Sequence, residues 1–401
     1  MKLYHKKPEH RSLACQTAPP IDLGETPPGS RLKFGFADYR NPLCCQDMKR
    51  QDSIVAVDLF CGAGGLTHGL EKSGVKVALG VDLDPACEFP FNHNNKARFL
   101  LRSVADISPE DISESFANAR YSVLAGCAPC QPFSKYRLGK SDTSDGRWHL
   151  LEHFQRLATE TRPTVVTMEN VPRLAEQGVF HDFVAGLEAA GYHTSFLPVN
   201  CADYGVPQHR ERLVLLASLL GPISLIPATH QGNRQLTVRK AIGTMSPLAA
   251  GGISEKDEMH QSCELSPLNL RRIKASRPGG SWKEWDPELV ADCHRKKSGK
   301  TYPSVYGRMV WDAPAPTMTT QFFGFGNGRF GHPEQDRALS LREGAIIQSF
   351  PRSYRFSPPG KPLYRKTVGR LIGNAVPVKL GLAIGRSIIK HIESHAKTKI
   401  S

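Results

Sequence analysis

Between residues 54 and 218 the chain alternates short, near-continuous apolar runs with stretches of helical periodicity, and this alternation narrows the fold more than any other feature. The runs are IVAVDLF (54–60), VKVALGVD (75–82), YSVLAGC (121–127), TVVTMENV (164–171), TSFLPVN (194–200) and RLVLLAS (212–218). Strands that are apolar along both faces must be covered on both, and strands separated by helices pair in parallel. The expected fold is therefore α/β: a doubly wound, mostly parallel sheet with helices on each side. Ligands of such sheets bind at the carboxyl ends of the strands, so residues just after a run carry the most weight.

Around this core the chain divides by composition. Residues 1–52, with APPIDLGETPPG and mixed charge, show little periodicity and read as a loosely ordered N-terminal arm. Residues 53–220 hold the sheet. Residues 221–360, rich in Gly, Pro, Arg and Lys, read as a second, smaller, loop-rich domain. In 361–401 the stretch PVKLGLAIGRSIIKHIESH (377–395) has helical spacing and is expected to return to the first domain. A 401-residue chain buries a full core without disulfide staples, so its 10 cysteines are expected to be mostly free thiols in a reducing compartment. The most apolar stretch, LVLLASLLGPISLI (213–226), is short and broken by Gly221-Pro222, and the N-terminus lacks a signal-peptide core. The expectation is a soluble, cytoplasmic monomer with no membrane partner.

Net charge is +14, and its distribution is informative: residues 1–220 carry −1 and residues 221–401 carry +15. A basic half joined to a neutral half suits an enzyme body with a nucleic-acid grip. The plainer reading is a solvated basic surface.

Four motifs sit at strand ends. In DLFCGAGGLTHGL (58–70), glycines let the backbone turn sharply and approach a ligand, and Asp82 ends the next run, where a carboxylate takes ribose hydroxyls. The spacing Gly62, Gly64, Thr67 lacks the third glycine of the dinucleotide fingerprint, which argues against a nicotinamide oxidoreductase and leaves a mononucleoside ligand open. GCAPCQPFS (126–134) contains a C-x-x-C, but no second pair stands at zinc spacing, so no metal is expected. A redox pair, an inert buried pair and a nucleophile on a Pro-bounded loop stay open. MENVP (168–172) places Glu169 among apolar residues, where it could stay protonated or simply head a helix. In DYGVPQHRERLVLLA (203–217), Gln208, Arg210 and Arg212 precede a strand and could grip a phosphate or a carbonyl oxygen.

In this order DLFCGAGG, PCQPFS, ENVP, QHRER, YGRMVWDAPAPTMTT (306–320) and LIGNAVP (371–377) closely resemble the cytosine carbon-5 DNA methyltransferases, over about residues 54–390. The resemblance implies a Rossmann-like methyltransferase domain with a target-recognition domain over 221–360, S-adenosylmethionine as cofactor and duplex DNA as partner. It implies Phe60, Gly62 and Gly64 around the amino-acid part of the cofactor, Asp82 on the ribose, Asp106 and Ile107 near the adenine, and Asn374 closing the pocket, with Pro129 beside the cofactor on the loop that fixes Cys130. It further implies Cys130 as nucleophile, Glu169 on the base edge, and Arg212 on the cytosine carbonyl with Arg210 supporting it. Cys127 is expected only to pack. Ala375, often serine in the family, and Leu83, often aromatic, depart from its pattern. The rival readings are an RNA (tRNA) cytosine-5 methyltransferase and a non-catalytic DNA-binding relative; three intact candidates, Cys130, Glu169 and Arg212, weigh against the latter.

Overall fold

The computed structural model describes residues 54–129, 149–299, 303 and 305–398; the expected arm over 1–52 and the candidate nucleophile Cys130 lie outside the described residues. Seven strands form one sheet: β1 Ile54–Leu59, β2 Lys76–Asp82, β3 Arg98–Leu101, β4 Tyr121–Gly126, β5 Val165–Asn170, β6 His193–Asn200 and β7 Glu211–Ser218. Their order is β3-β2-β1-β4-β5-β7-β6. The first five strands pair in parallel, and β7 runs antiparallel to both β5 and β6.

This reversal has a local cause. β6 and β7 are joined only by a single 3-10 turn at Cys201–Tyr204 and a short loop, too little chain for a crossover, so the two strands must lie antiparallel. The six apolar runs of the sequence correspond to six of these strands. β3 was not anticipated, because in its four residues, RFLL, only Phe99 is buried.

The helices are α1 Gly65–Ser73, α2 Glu88–Asn94, α3 Pro109–Phe116, α4 His149–Thr161, α5 Gly178–Ala189, α6 Val238–Ile242, α7 Pro267–Lys274, α8 Asp292–Arg295, α9 Leu341–Ile347, α10 Arg365–Asn374 and α11 Val378–Thr398. On one face of the sheet Ile112 of α3, Phe154 and Leu157 of α4 and Phe180 and Phe183 of α5 pack on Val57, Leu59, Leu124 and Met168. On the other, Leu66 and Leu70 of α1 share a core with Ile384 and Ile388 of α11. Both faces are thus covered, and every residue of β5 is buried.

α1 and α11 cross at glycines. A Cβ on Gly69 would stand 2.4 Å from the carbonyl oxygen of Val378 and 2.6 Å from the carbonyl carbon of Gly381, and one on Gly385 would stand 2.1 Å from Ser73 Oγ. Only glycine lets the two backbones approach this closely. α11 thus packs on α1, on one face of the sheet. Its most apolar window, long enough to cross a bilayer, is 67% buried inside the fold, as a core helix should be.

Residues 221–360 contain short elements joined by loops, including the hairpin of β8 Ile253–Ser254 and β9 Asp257–Gln261. Val238, Met259, Met318 and Phe322 join the core beside α1 and α11. Ile273, Trp282, Trp285, Leu289, Phe325 and Ala338 form a separate small cluster. The buried Arg308 guanidinium ties this region together. Its Nε donates to the carbonyls of Ile273 (3.2 Å) and Ser276 (2.9 Å), and its Nη1 to those of His332 (3.0 Å) and Gln335 (2.7 Å). One rigid cation here replaces regular secondary structure as the organiser of loops.

Candidate active site

Both glycine-bearing and cysteine-bearing loops leave the sheet side by side, because β1 and β4 are parallel neighbours with Leu59 paired to Gly126. After β1 the chain turns through Phe60 at φ 57°, Gly62 at φ 54° and Gly64 at φ 87°. Phe60 holds a left-handed conformation rare for a side-chain-bearing residue, which marks a turn that the surroundings over-determine. Gly62 donates its N–H to Asp82 Oδ2 (2.8 Å), and Asp84 donates to Asp82 Oδ1 (2.9 Å), so the carboxylate at the end of β2 is fixed against the turn. Burial raises the Asp82 pKa above the usual carboxylate range.

The cradle has a closed floor and an open face. A Cβ on Gly64 would strike Asn95 Nδ2 at 2.4 Å, whereas one on Gly62 would meet nothing within 4 Å among the described residues. Tyr354 Oη closes the floor by donating to the carbonyl of Ala63 (2.6 Å). The LIGNAVP segment meets the first turn of α1, since a Cβ on Gly65 would stand 2.3 Å from the carbonyl oxygen of Val376. Asn374, at the end of α10, is exposed beside it. Asp106 is exposed on the turn after β3 and Ile107 is 1% exposed. Leu83, beside Asp82, is 68% exposed.

Beneath the cradle lies Asp58, fully buried on β1. Thr67 Oγ1 donates to its Oδ2 (2.6 Å), while its Oδ1 has no hydrogen-bond partner among the described residues. Burial pushes its carboxyl up to about 7. A buried acceptor without a partner costs free energy unless a ligand supplies a donor. This residue was not singled out from the sequence, although it opens the DLFCGAGG motif.

The second half of the site is built at the ends of β4, β5 and β7. Gly126 pairs with Met168, so Cys127 comes abreast of Glu169, and Glu169 pairs with Val214 two residues beyond Arg212. Glu169 is 2% exposed. Its Oε1 is 2.9 Å from Arg212 Nε in an ion pair, and its Oε2 accepts from the Cys127 thiol at 2.9 Å. Cys127 therefore does more than pack. Asn170 Nδ2 donates to the carbonyl of Ala128 (3.0 Å), which pins the loop to β5 one residue before the half-buried Pro129.

Arg210, two residues before Arg212, donates to the carbonyls of Met318 (3.0 Å) and Gly373 (2.9 Å). Burial, reinforced by the nearby Arg212 guanidinium, lowers its pKa from the usual range. Gln208 does similar work: its amide accepts from Met318 N (2.6 Å) and donates to Gln348 Oε1 (2.8 Å), and Gln348 donates to the carbonyl of Ile372 (2.8 Å). QHRER thus ties APTMTT and LIGNAVP together. Gln348 stands in no motif and offers no local signal.

The fold is the mostly parallel, helix-covered sheet of Rossmann-like methyltransferases, with a glycine turn after β1 and the buried Glu169–Arg212 pair at the ends of β5 and β7. The family model described as C-5 cytosine-specific DNA methylase matches residues 54–390. The chain is 49% identical over 348 residues to the Type II methylase M.HgiDII of Herpetosiphon aurantiacus, across 86% of this chain and 98% of that protein. It is 34% identical over 355 residues to the Type II methyltransferase M.Eco47II of Escherichia coli, across 83% and 78% of the two chains. Among solved structures it is similar to a DNA modification methyltransferase encoded within an E. coli prophage, with a TM-score of 0.65 at 20% identity, covering 85% of this chain and 100% of that one. The methyltransferase EhMeth of Entamoeba histolytica gives 0.55 at 17%, covering 85% and 99%. This chain belongs to the C-5 cytosine-specific DNA methylase family.

Proposed function

We propose that this enzyme methylates carbon 5 of a cytosine flipped out of a specific duplex DNA sequence, through a transient bond between Cys130 and the base. The observation that carries the reading is the Glu169 carboxyl, buried at the end of β5, paired with Arg212 at 2.9 Å and set abreast of the loop that leads to Cys130.

The cradle fits S-adenosylmethionine. Gly62 leaves an open face, Asp82 offers acceptors to a ribose, and the unmatched Oδ1 of Asp58 suits the ammonium end. Phe60, Gly62, Gly64, Pro129 and Asn374 would hold the amino-acid portion and close the pocket, and Asp106 and Ile107 the adenine. When bound, the cofactor supplies an electrophilic methyl group.

The remaining chemistry belongs to the chain. Cytosine carbon 5 is a weak nucleophile, so electron density must be pushed into the ring. The Cys130 thiolate adds to carbon 6; Glu169, carrying a proton in the complex with the base, donates to ring nitrogen 3 and offsets the negative charge that develops there; Arg212 holds the cytosine carbonyl. Loss of the carbon 5 proton then expels the thiolate. Arg210 serves as a positioning residue, fixing the strand end that carries Arg212. Flipping the base costs a few kcal/mol, which phosphate contacts from the basic residues of 221–401 would offset. Residues 221–360 would read the target. The names of the relatives support a modification enzyme of a restriction–modification pair.

The test is transfer of labelled methyl from S-adenosylmethionine to duplex DNA and to transfer RNA. Label should enter DNA and disappear in Cys130→Ser, with DNA binding retained. Label in transfer RNA alone would reject the reading.

A further inference from the structure

We infer that Cys127 is a positioning residue for the base-edge carboxyl: its thiol holds Oε2 of Glu169 while Arg212 holds Oε1, so the carboxyl presents one plane to the cytosine. The inference rests on the methyltransferase reading above and deepens it.

Arg212 Nε stands 2.9 Å from Oε1 of Glu169 in an ion pair. An ion pair is weakly directional, and the last torsion of a glutamate is intrinsically broad. The contact from Cys127 Sγ to Oε2, at 2.9 Å, removes that freedom. A thiol is a weak donor, and a carboxyl oxygen is a good acceptor for it.

Cys127 is itself held on both sides. Its N–H donates to the carbonyl of Leu59 (3.2 Å), and the carbonyl of the next residue, Ala128, accepts from Asn170 (3.0 Å). Gly126 before it packs closely on the core, since a Cβ there would lie 2.9 Å from the ring of Phe154. The thiol is therefore delivered to the carboxyl by fixed backbone. Such prearrangement is what a group recognising one edge of a planar base requires, because small errors in its orientation are costly in the transition state.

The experiment compares Cys127→Ala and Cys127→Ser in the full chain, measuring kcat and KM on duplex DNA, with thermal unfolding as the control for folding. Cys127→Ala should lose roughly ten- to a hundredfold in kcat, the scale of a misplaced catalytic group, with KM within about twofold. Cys127→Ser, which keeps a donor, should recover most of the rate. A residue that merely packs predicts the opposite order, because alanine suits an apolar contact better than a hydroxyl does. Equal rates, or serine slower than alanine, would overturn the inference while leaving DNA methylation by the wild type intact. A wild type that does not methylate DNA would overturn both. If the alanine variant fails to fold, the infrared S–H band of Cys127, isolated by subtracting the Cys127→Ser spectrum, gives the answer. It should shift on Glu169→Gln, and an unmoved band refutes the contact.

Discussion

Removing Arg212 should expose how strongly the buried carboxyl depends on its partner. The two side chains are 13% and 3% exposed and meet at 2.9 Å. Breaking a buried pair by deleting one partner typically costs ~3–5 kcal/mol, because the other charge is left uncompensated. The slight exposure of Arg212 admits water and places the expected loss for Arg212→Ala near the lower end, about 3 kcal/mol. This lies within the usual stability of a domain, about 5–15 kcal/mol, so the variant should still fold. Most of the loss comes from the stranded carboxylate, so replacing it should restore much of it. In a double-mutant cycle with Glu169→Gln, urea unfolding followed by circular dichroism should give a coupling of about 2 kcal/mol. Both single variants should also lose methyl transfer by orders of magnitude. If the stability losses simply add, within about 0.5 kcal/mol, the pair is not a coupled unit and the description of the site is wrong.

Three further outcomes follow from other parts of the molecule. Gly69→Ala would normally gain about 1 kcal/mol in a helix; here its Cβ would lie 2.4 Å from the Val378 carbonyl, so Tm should fall, and a rise would refute the close crossing of α1 and α11. Burial pushes Asp58 up to about 7, so the folded chain holds a proton that the unfolded chain releases near the ordinary carboxylate range, and its contribution to stability must decline as pH rises between those limits. Urea unfolding at acidic and neutral pH should show that slope, reduced in Asp58→Asn; an unchanged slope would mean that other groups cause it. If residues 221–401 grip phosphates, six or more contacts would weaken DNA binding ~10³-fold between about 50 and 200 mM salt, and a flat titration would contradict this.

Much of the fold was legible because it follows from periodicity. Strands buried on both faces must be apolar throughout, so β1, β2, β4, β5 and β7 appear as runs, and the helical spacing of 377–395 exposes α11; the edge strand β6 reads as a run although only Val199 in it is buried. β3 has one buried residue and leaves no such trace. The insertion of β7 between β5 and β6 was hidden because strand order depends on how connections pack, which no local pattern records. In the site, Glu169 and Arg212 could be chosen from their places at strand ends, and the structure brings them together. The donor on Cys127 could not, because it depends on the register of β4 against β5. Arg210 shows the same limit: an arginine before a strand reads alike whether it faces a substrate or, as here, the carbonyls of Met318 and Gly373 more than a hundred residues away.

The proposed mechanism requires Cys130 to bond to the base during turnover. The most direct test incubates the enzyme and S-adenosylmethionine with duplex DNA in which 5-fluorocytosine replaces cytosine, so that the proton needed for release is absent. A denaturant-resistant complex that mass spectrometry maps to Cys130, and that Cys130→Ser does not form, is the expected result. Methylation of ordinary DNA with no such complex, or with the adduct on another residue, would contradict it.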